Sequence, residues 1–136
     1  MLARRIRSRV AEFLSWIRVS YLRLMGVTIG KNCFISKGAH VDIARGKVTI
    51  GNNVSIAGGS YILSHAALRR EGTAKETRIE DNVLIFVNAV IFAGVKVGKN
   101  SIVGAGAVVT KDVPPNVTVM GNPARVIWPK GNKPRD

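Results

Sequence analysis

This chain of 136 residues predicts an all-β solenoid, and three observations carry that prediction. First, an aliphatic residue recurs at hexapeptide spacing from Ile29 onward: Ile29, Ile35, Val41, Ile50, Ile56, Ile62, Ile79, Ile85, Ile91, Val97, Val103 and Val109. Second, three positions after each stands Asn32, Gly38, Ala44, Asn53, Gly59, His65, Asn82, Asn88, Gly94, Asn100, Gly106 or Asp112. Most of these are Gly, Asn or Asp, which adopt left-handed backbone at least cost. Third, the residue after the corner is small or β-branched, as in Cys33, Ala39, Val54, Ser60, Val83, Ala89, Val95, Ser101, Ala107 and Val113. A short strand and a tight corner, repeated, wind a triangular coil with three flat faces. The aliphatics then point inward and stack between coils about 4.8 Å apart. No single repeat can bury its apolar face alone, so the repeats fold together as a parallel β-helix. A βαβ fold would need helical runs of ten or more residues between strands, and none lies between Ile29 and Val113.

Residues 1–25 precede the repeat and have a different character. Leu2, Ile6, Val10, Phe13, Leu14, Ile17, Tyr21 and Leu24 fall at helical spacing. Arg4, Arg5, Arg7, Arg9, Arg18 and Arg23 accompany them against one acid, Glu12, and account for much of the net charge of +13. This basic amphipathic helix admits three readings. It can cap or flank the β-helix, it can lie on an anionic membrane leaflet with Trp16, Phe13 and Leu14 inserted, or it can bind nucleic acid. The last has no helix-turn-helix, zinc or RNA-binding signature beside it. The β-helix domain spans 26–127, and a basic tail with Lys130, Lys133 and Arg135 (128–136) reads as a solvated terminus.

The repeat is interrupted twice. Three extra residues around Arg45, Gly46 and Lys47 form a bulge between Val41 and Ile50. A polar loop over 66–78, with Arg69, Arg70, Glu71, Lys75 and Glu76, protrudes between Ile62 and Ile79. Loops on a rigid scaffold are where function concentrates, and His65 stands where the longer one departs. Histidine also tolerates left-handed corners, so a purely structural role competes. His65 is, however, the single histidine of the corner column and abuts the single long insertion. An imidazole is the natural general base for a hydroxyl or amine near neutral pH. His40 has no insertion beside it and reads as a surface or stacking residue. Cys33, the lone cysteine, excludes an internal disulfide, fits a reducing compartment and packs in the small-residue column. The acids Asp42, Glu71, Glu76, Glu80, Asp81 and Asp112 form no paired-carboxylate motif, and no metal site is expected. No apolar stretch reaches the ~20 residues of a membrane span, and Glu12, Arg18 and Arg23 interrupt any signal-peptide core, so a cytoplasmic location is expected.

The run Val97-Gly98-Lys99-Asn100-Ser101-Ile102-Val103-Gly104-Ala105-Gly106-Ala107-Val108-Val109-Thr110-Lys111-Asp112-Val113-Pro114-Pro115-Asn116, followed by Gly121-Asn122-Pro123-Ala124-Arg125-Val126-Ile127, resembles the ending of hexapeptide-repeat acyltransferases. The branch it resembles contains galactoside, maltose, xenobiotic and serine acetyltransferases, and the similarity covers the chain after about Gly26. The resemblance implies a left-handed parallel β-helix and acyl transfer from acetyl-CoA (coenzyme A), with no metal. It implies His65 as catalytic base and Ala105, Thr110, Lys111 and Arg125 as coenzyme A contacts. The chemistry agrees, because Lys111 and Arg125 offer charge-assisted partners to the pyrophosphate and 3′-phosphate, and small Ala105 leaves room for the pantetheine arm.

With three hexapeptides per coil, His65, Gly94 and Asp112 share one prism edge, with Thr110 and Lys111 close by, and Ala105 lies near another. A single cofactor reaches both only across two chains, which predicts a homotrimer with sites between protomers, as the resemblance also implies. Two departures concern the acceptor: Val83-Leu84-Ile85-Phe86-Val87-Asn88 replaces a common Val-Trp-Ile-Gly run, and Ala66 follows His65 where Asp or Pro is common. No acid is nominated to orient His65, for which a backbone carbonyl would serve. Asn88 is a candidate substrate contact with an adequate structural reason of its own at a corner. The expectation is therefore an acetyl-CoA-dependent O-acetyltransferase acting on a sugar hydroxyl, in cell-surface polysaccharide or lipopolysaccharide biosynthesis, with residues 1–25 as a possible membrane contact to a lipid-linked sugar. The alternatives are an amino-sugar N-acyltransferase, a serine acetyltransferase-like enzyme (disfavoured by the missing large helical N-terminal domain), or a non-catalytic trimeric scaffold. A zinc enzyme on this fold would need more histidines than His40 and His65.

Overall fold

A computed structural model describes residues 1–44, 46–65 and 75–129. Arg45 of the predicted bulge, residues 66–74 of the predicted loop and residues 130–136 of the tail lie outside the described residues.

Helix α1 (Leu2–Leu24) leads into four coils of three short strands each. The first coil holds β1 (Thr28–Ile29), β2 (Phe34–Ile35) and β3 (His40–Val41), the second β4 (Val48–Ile50), β5 (Ser55–Ile56) and β6 (Tyr61–Ile62). The third holds β7 (Thr77–Ile79), β8 (Leu84–Ile85) and β9 (Val90–Ile91), the fourth β10 (Lys96–Val97), β11 (Ile102–Val103) and β12 (Val108–Val109). Three parallel sheets result, one per face, ordered β1-β4-β7-β10, β2-β5-β8-β11 and β3-β6-β9-β12. Their registers align the aliphatic column: Ile29 faces Ile50, Ile79 and Val97, and Ile35 faces Ile56, Ile85 and Val103. Val41 faces Ile62, Ile91 and Val109 on the third face. Ten of these twelve residues are at most 1% exposed. The core is thus three stacked aliphatic ladders, as the period predicts.

The two ends close differently. At the C-terminal end β13 (Val117–Met120) extends the second sheet and β14 (Arg125–Pro129) returns antiparallel on it. At the other end α1 lies across the first coil. Ser15 Oγ accepts from the Ile35 N–H at 2.8 Å, and Arg18 and Arg23 donate to the carbonyls of Ile35 (3.1 Å) and Gly30 (2.6 Å). Of the competing readings of this segment, the cap is therefore one role it fills, with Val19 and Leu22 buried beneath it.

The corners are not equivalent. Asn32, Asn53, Asn82, Asn100 and Asn116 form a left-handed column on the first edge, where Asn82 donates to Asn100 and Asn100 to Asn116, both at 3.1 Å. Gly38, Gly59, Asn88 and Gly106 are left-handed on the second. On the third edge only Gly94 is left-handed among the described residues; Ala44, His65 and Asp112 turn without positive φ. The left-handed corner that competed as an explanation for His65 is therefore not its role. Both insertions leave the coil from this third edge.

Candidate active site on the third edge

His65 ends the third face of the second coil, immediately before the long insertion. The register Val41↔Ile62 stacks the residues after Val41 on those after Ile62 and brings Asp42 beside Ser64 and His65. His65 Nδ1 lies 2.6 Å from Asp42 Oδ2, with the imidazole 41% and the carboxylate 19% exposed. The same Oδ2 accepts from Ser64 Oγ at 2.7 Å and from the Ser64 N–H at 3.2 Å, while Oδ1 accepts from the Ala44 N–H at 2.9 Å.

Partial burial pushes the Asp42 carboxyl up, but the hydrogen bonds from Ala44, Ser64 and His65 outweigh it and hold the group well below the usual carboxylate range. Asp42 is therefore an anion, which can only accept. Its partner nitrogen must carry a hydrogen, so neutral His65 is the Nδ1–H tautomer with its lone pair on Nε2. This tautomer is inferred from the network. An oriented, half-exposed imidazole with a basic Nε2 is what general-base catalysis needs.

Sequence reasoning singled out His65 but nominated no acid to orient it and offered a backbone carbonyl instead; the contact is with Asp42. The signal available was register: an aspartate one residue after an inward valine, one coil before the histidine. The described residues on either side of the insertion are tied together on this edge. Thr77, fully buried, donates to the Leu63 carbonyl at 2.7 Å and accepts from the Gly94 N–H at 2.9 Å, tying the point of departure to the point of return. Lys75 reaches Asp112 at 3.7 Å across this edge.

The four expected cofactor contacts separate into groups. Lys111 and Arg125 line one open cleft of about 260 Å³, together with Pro114, Ala124 and Val126. Asp112 lines it too, at the edge where it meets Lys75, and the two cations over largely apolar walls suit a phosphate-bearing ligand with an extended arm. Thr110 is exposed on the strand end beside Lys111. Ala105 is exposed in the turn before Gly106, on the second edge. Asn88 is also on the second edge, left-handed at φ 59°, with its side chain laid over Gly59. Within one chain, then, His65 and Asp42 share an edge, while Asn88 and Ala105 stand on another.

Of the remaining candidates, His40 stacks on Tyr61 with ring centroids 4.7 Å apart. Cys33 Sγ donates to the Gly51 carbonyl at 3.0 Å, and burial pushes its thiol up, away from reactivity. Among the described residues no group of three or more His, Cys, Asp or Glu side chains could hold a metal ion.

A triangular β-helix carrying an aspartate-held histidine beside an insertion defines a class rather than one enzyme. Residues 26–64 and 76–111 match the family model described as "hexapeptide repeat of succinyl-transferase". The chain belongs to this hexapeptide-repeat, left-handed β-helix family of acyltransferases. It is 37% identical to the galactoside O-acetyltransferase of Escherichia coli K12, over 81% of this chain and 67% of that one. It is 48% identical over 79 residues to a Staphylococcus aureus 2,3,4,5-tetrahydropyridine-2,6-dicarboxylate N-acetyltransferase, a match covering 58% of this chain but only 32% of the relative. Among solved structures, a hexapeptide-repeat acetyltransferase of Vibrio cholerae in complex with acetyl coenzyme A superposes with a TM-score of 0.68. It is 35% identical, over 78% of this chain and 61% of that one.

Proposed function

We propose that this protein is an acetyl-CoA-dependent O-acetyltransferase that acts on a sugar hydroxyl in cell-surface polysaccharide or lipopolysaccharide biosynthesis. The observation that carries the proposal is the 2.6 Å contact between His65 Nδ1 and Asp42. The galactoside O-acetyltransferase of Escherichia coli supports a sugar acceptor, and the acetyl coenzyme A complex of the Vibrio cholerae relative supports the donor.

The reaction follows from the residues. His65 Nε2 takes the acceptor's hydroxyl proton as its oxygen attacks the thioester carbonyl. The tetrahedral adduct collapses with cleavage of the C–S bond, and the imidazolium returns the proton to the departing thiolate. Asp42 fixes the tautomer and stabilises the imidazolium that forms between these steps. Lys111 and Arg125 hold the phosphates of coenzyme A, with Thr110 and Ala105 along the same cofactor on facing protomers of a homotrimer. Asn88, on the same edge as Ala105, would meet the acceptor from the neighbouring chain. A lipid-linked sugar would bring the enzyme to the inner face of a membrane, with residues 1–25 as the contact.

The Staphylococcus aureus relative favours a second reading, N-acetylation of an amino sugar or other amine, by the same dyad. A screen of acetyl-CoA consumption over galactosides, nucleotide sugars, lipid-linked sugars, amino sugars and serine separates the two. His65→Ala should retain coenzyme A binding and lose about 10²–10⁴-fold in kcat. Near-normal turnover by this variant would overturn the mechanism.

A further inference from the structure

Helix α1 is amphipathic in an unusual sense, because its buried side is the smaller of two apolar faces. At 3.6 residues per turn, Ser15, Val19 and Leu22, the three buried residues, occupy an arc of about 60°. Leu2, Ile6, Val10, Phe13, Ile17 and Leu24 occupy an arc of about 80° on the opposite side. They are 75%, 53%, 50%, 59%, 43% and 87% exposed. The cap on the first coil therefore leaves a continuous stripe along the whole outer side of the helix without a partner among the described residues. Phe13 stacks on Trp16 at 6.1 Å at one margin of the stripe, and Trp16 is 61% exposed.

The charges select the occupant. Arg7 and Arg9 flank the stripe on either side, with Arg4 and Arg5 behind them, and all four are exposed. Glu12 is the one acid in the helix. A second copy of α1 laid on this stripe would bring its Arg4, Arg5, Arg7 and Arg9 against a surface that is itself cationic, and an acidic partner surface would satisfy the rims but not the apolar floor. The helix is not a membrane span, since no described helix is long and apolar enough to cross. An apolar floor, an aromatic margin and cationic rims together match a bilayer interface carrying anionic headgroups.

We propose that the outer face of α1 (Leu2, Ile6, Val10, Phe13, Ile17, Leu24) lies in the plane of an anionic membrane while its inner face caps the β-helix. This deepens the membrane contact of the preceding section, and its test reads no catalysis, so it stands or falls apart from acetyl transfer. The arrangement would hold the first coil nearest the lipid.

The experiment is vesicle flotation of the full-length protein with phosphatidylcholine alone and with added phosphatidylglycerol. Wild type should bind the anionic vesicles at least about tenfold more tightly than the neutral ones, and salt should weaken that binding. The variant Ile6→Ser/Phe13→Ser/Ile17→Ser should lose binding with an unchanged oligomeric state by light scattering. Arg7→Gln/Arg9→Gln, which leaves the stripe intact and guards against a folding defect in the first variant, should weaken binding to anionic vesicles alone. Equal binding to both vesicle types, no binding to either, or a serine variant that instead breaks a larger assembly of this chain would each overturn the proposal.

Discussion

Replacing Asp42 by Asn keeps the size of the side chain and removes its charge, and the surrounding donors make the outcome calculable. In the native protein Oδ2 receives His65 Nδ1–H, Ser64 O–H and Ser64 N–H, and Oδ1 receives Ala44 N–H. An asparagine offers one oxygen and one NH₂ to these four donors. If its oxygen stays on Ala44, the NH₂ faces the Ser64 N–H, which cannot reverse. His65 must then present a bare Nδ1, which moves its proton to Nε2 and abolishes the base. If the amide turns over, the Ala44 N–H is left facing a donor. Each orphaned donor costs about 1–3 kcal/mol, so Asp42→Asn should lower the melting temperature. The catalytic loss should be larger. Wrong-tautomer substitutions of this type and loss of general-base function cost about 10²–10⁴-fold, about 3–5 kcal/mol of barrier. The assay is steady-state kinetics with acetyl-CoA and the best acceptor from the screen, alongside calorimetric binding of coenzyme A. The expectation is a collapse in kcat with coenzyme A affinity within about threefold of wild type, since the hydrogen-bond partners of Asp42 are Ala44, Ser64 and His65 and none of these lines the cleft. A variant that keeps near-native kcat would refute the dyad, whatever it did to stability.

Lys111→Ala and Arg125→Ala should each raise KM for acetyl-CoA by about 10–100-fold with kcat nearly unchanged, because a hydrogen bond to a charged group is worth about 1.5–3 kcal/mol. Unaltered KM in both would remove the cleft from the cofactor site. Acid titration of stability tests three carboxylates. Those of Asp42 (hydrogen bonds outweighing burial), Glu76 (chiefly the Thr49 hydroxyl) and Glu80 (chiefly Lys96) are all held below their ordinary values. Their stabilisation is complete above the unfolded values near pH 4 and is lost as pH falls through the lower folded ones. The melting temperature should thus be insensitive to these groups at pH 5–7 and drop below about pH 4, with a shallower drop in Asp42→Asn. A wild-type and variant acid slope that coincide would count against the network. Ile85→Ala, at 1% exposure in the middle ladder, should cost about 2–5 kcal/mol in denaturant unfolding. Gly59→Ala should cost about 1–2 kcal/mol for its left-handed backbone, at φ +75°, plus displacement of the Asn88 side chain that covers it; an undiminished midpoint would contradict that corner geometry.

What was legible in the sequence was whatever the period repeats. Twelve aliphatics at hexapeptide spacing specify three stacked ladders, because an inward position one coil later must again be inward. The asparagine and glycine corners declare themselves by residue type, since few others take positive φ cheaply. Asp42 was not legible in that way. A single aspartate in a variable column resembles any solvated acid, and its meaning comes from a pairing twenty-three residues away that only the register Val41↔Ile62 reveals. The two faces of α1 show a different limit. Its hydrophobic spacing pointed to the outer stripe, because Leu2, Ile6, Val10, Phe13 and Ile17 dominate the pattern. The capping side uses Ser15 Oγ and the arginine guanidiniums on backbone carbonyls, groups that hydropathy counts as surface.

The position of the dyad follows from where the coil is least constrained. Two edges of the prism are closed by left-handed asparagines and glycines, locked by side-chain ladders on the first edge and by the Asn88 side chain laid over Gly59 on the second. An insertion there would have to restart a left-handed corner and would break a hydrogen-bonded column. The third edge makes no such demand at Ala44, His65 or Asp112, so both interruptions can leave from it and return to it. Asp42 and His65 flank those two exits on successive coils. The rigid ladders of Val41 and Ile62 beneath them fix the 2.6 Å contact. Under the proposed function, the base and the insertion beside it come from one local relaxation of the corner rule, and exchanging residues 66–74 should change the preferred acceptor in the acetyl-CoA screen while leaving the effect of His65→Ala on turnover unchanged.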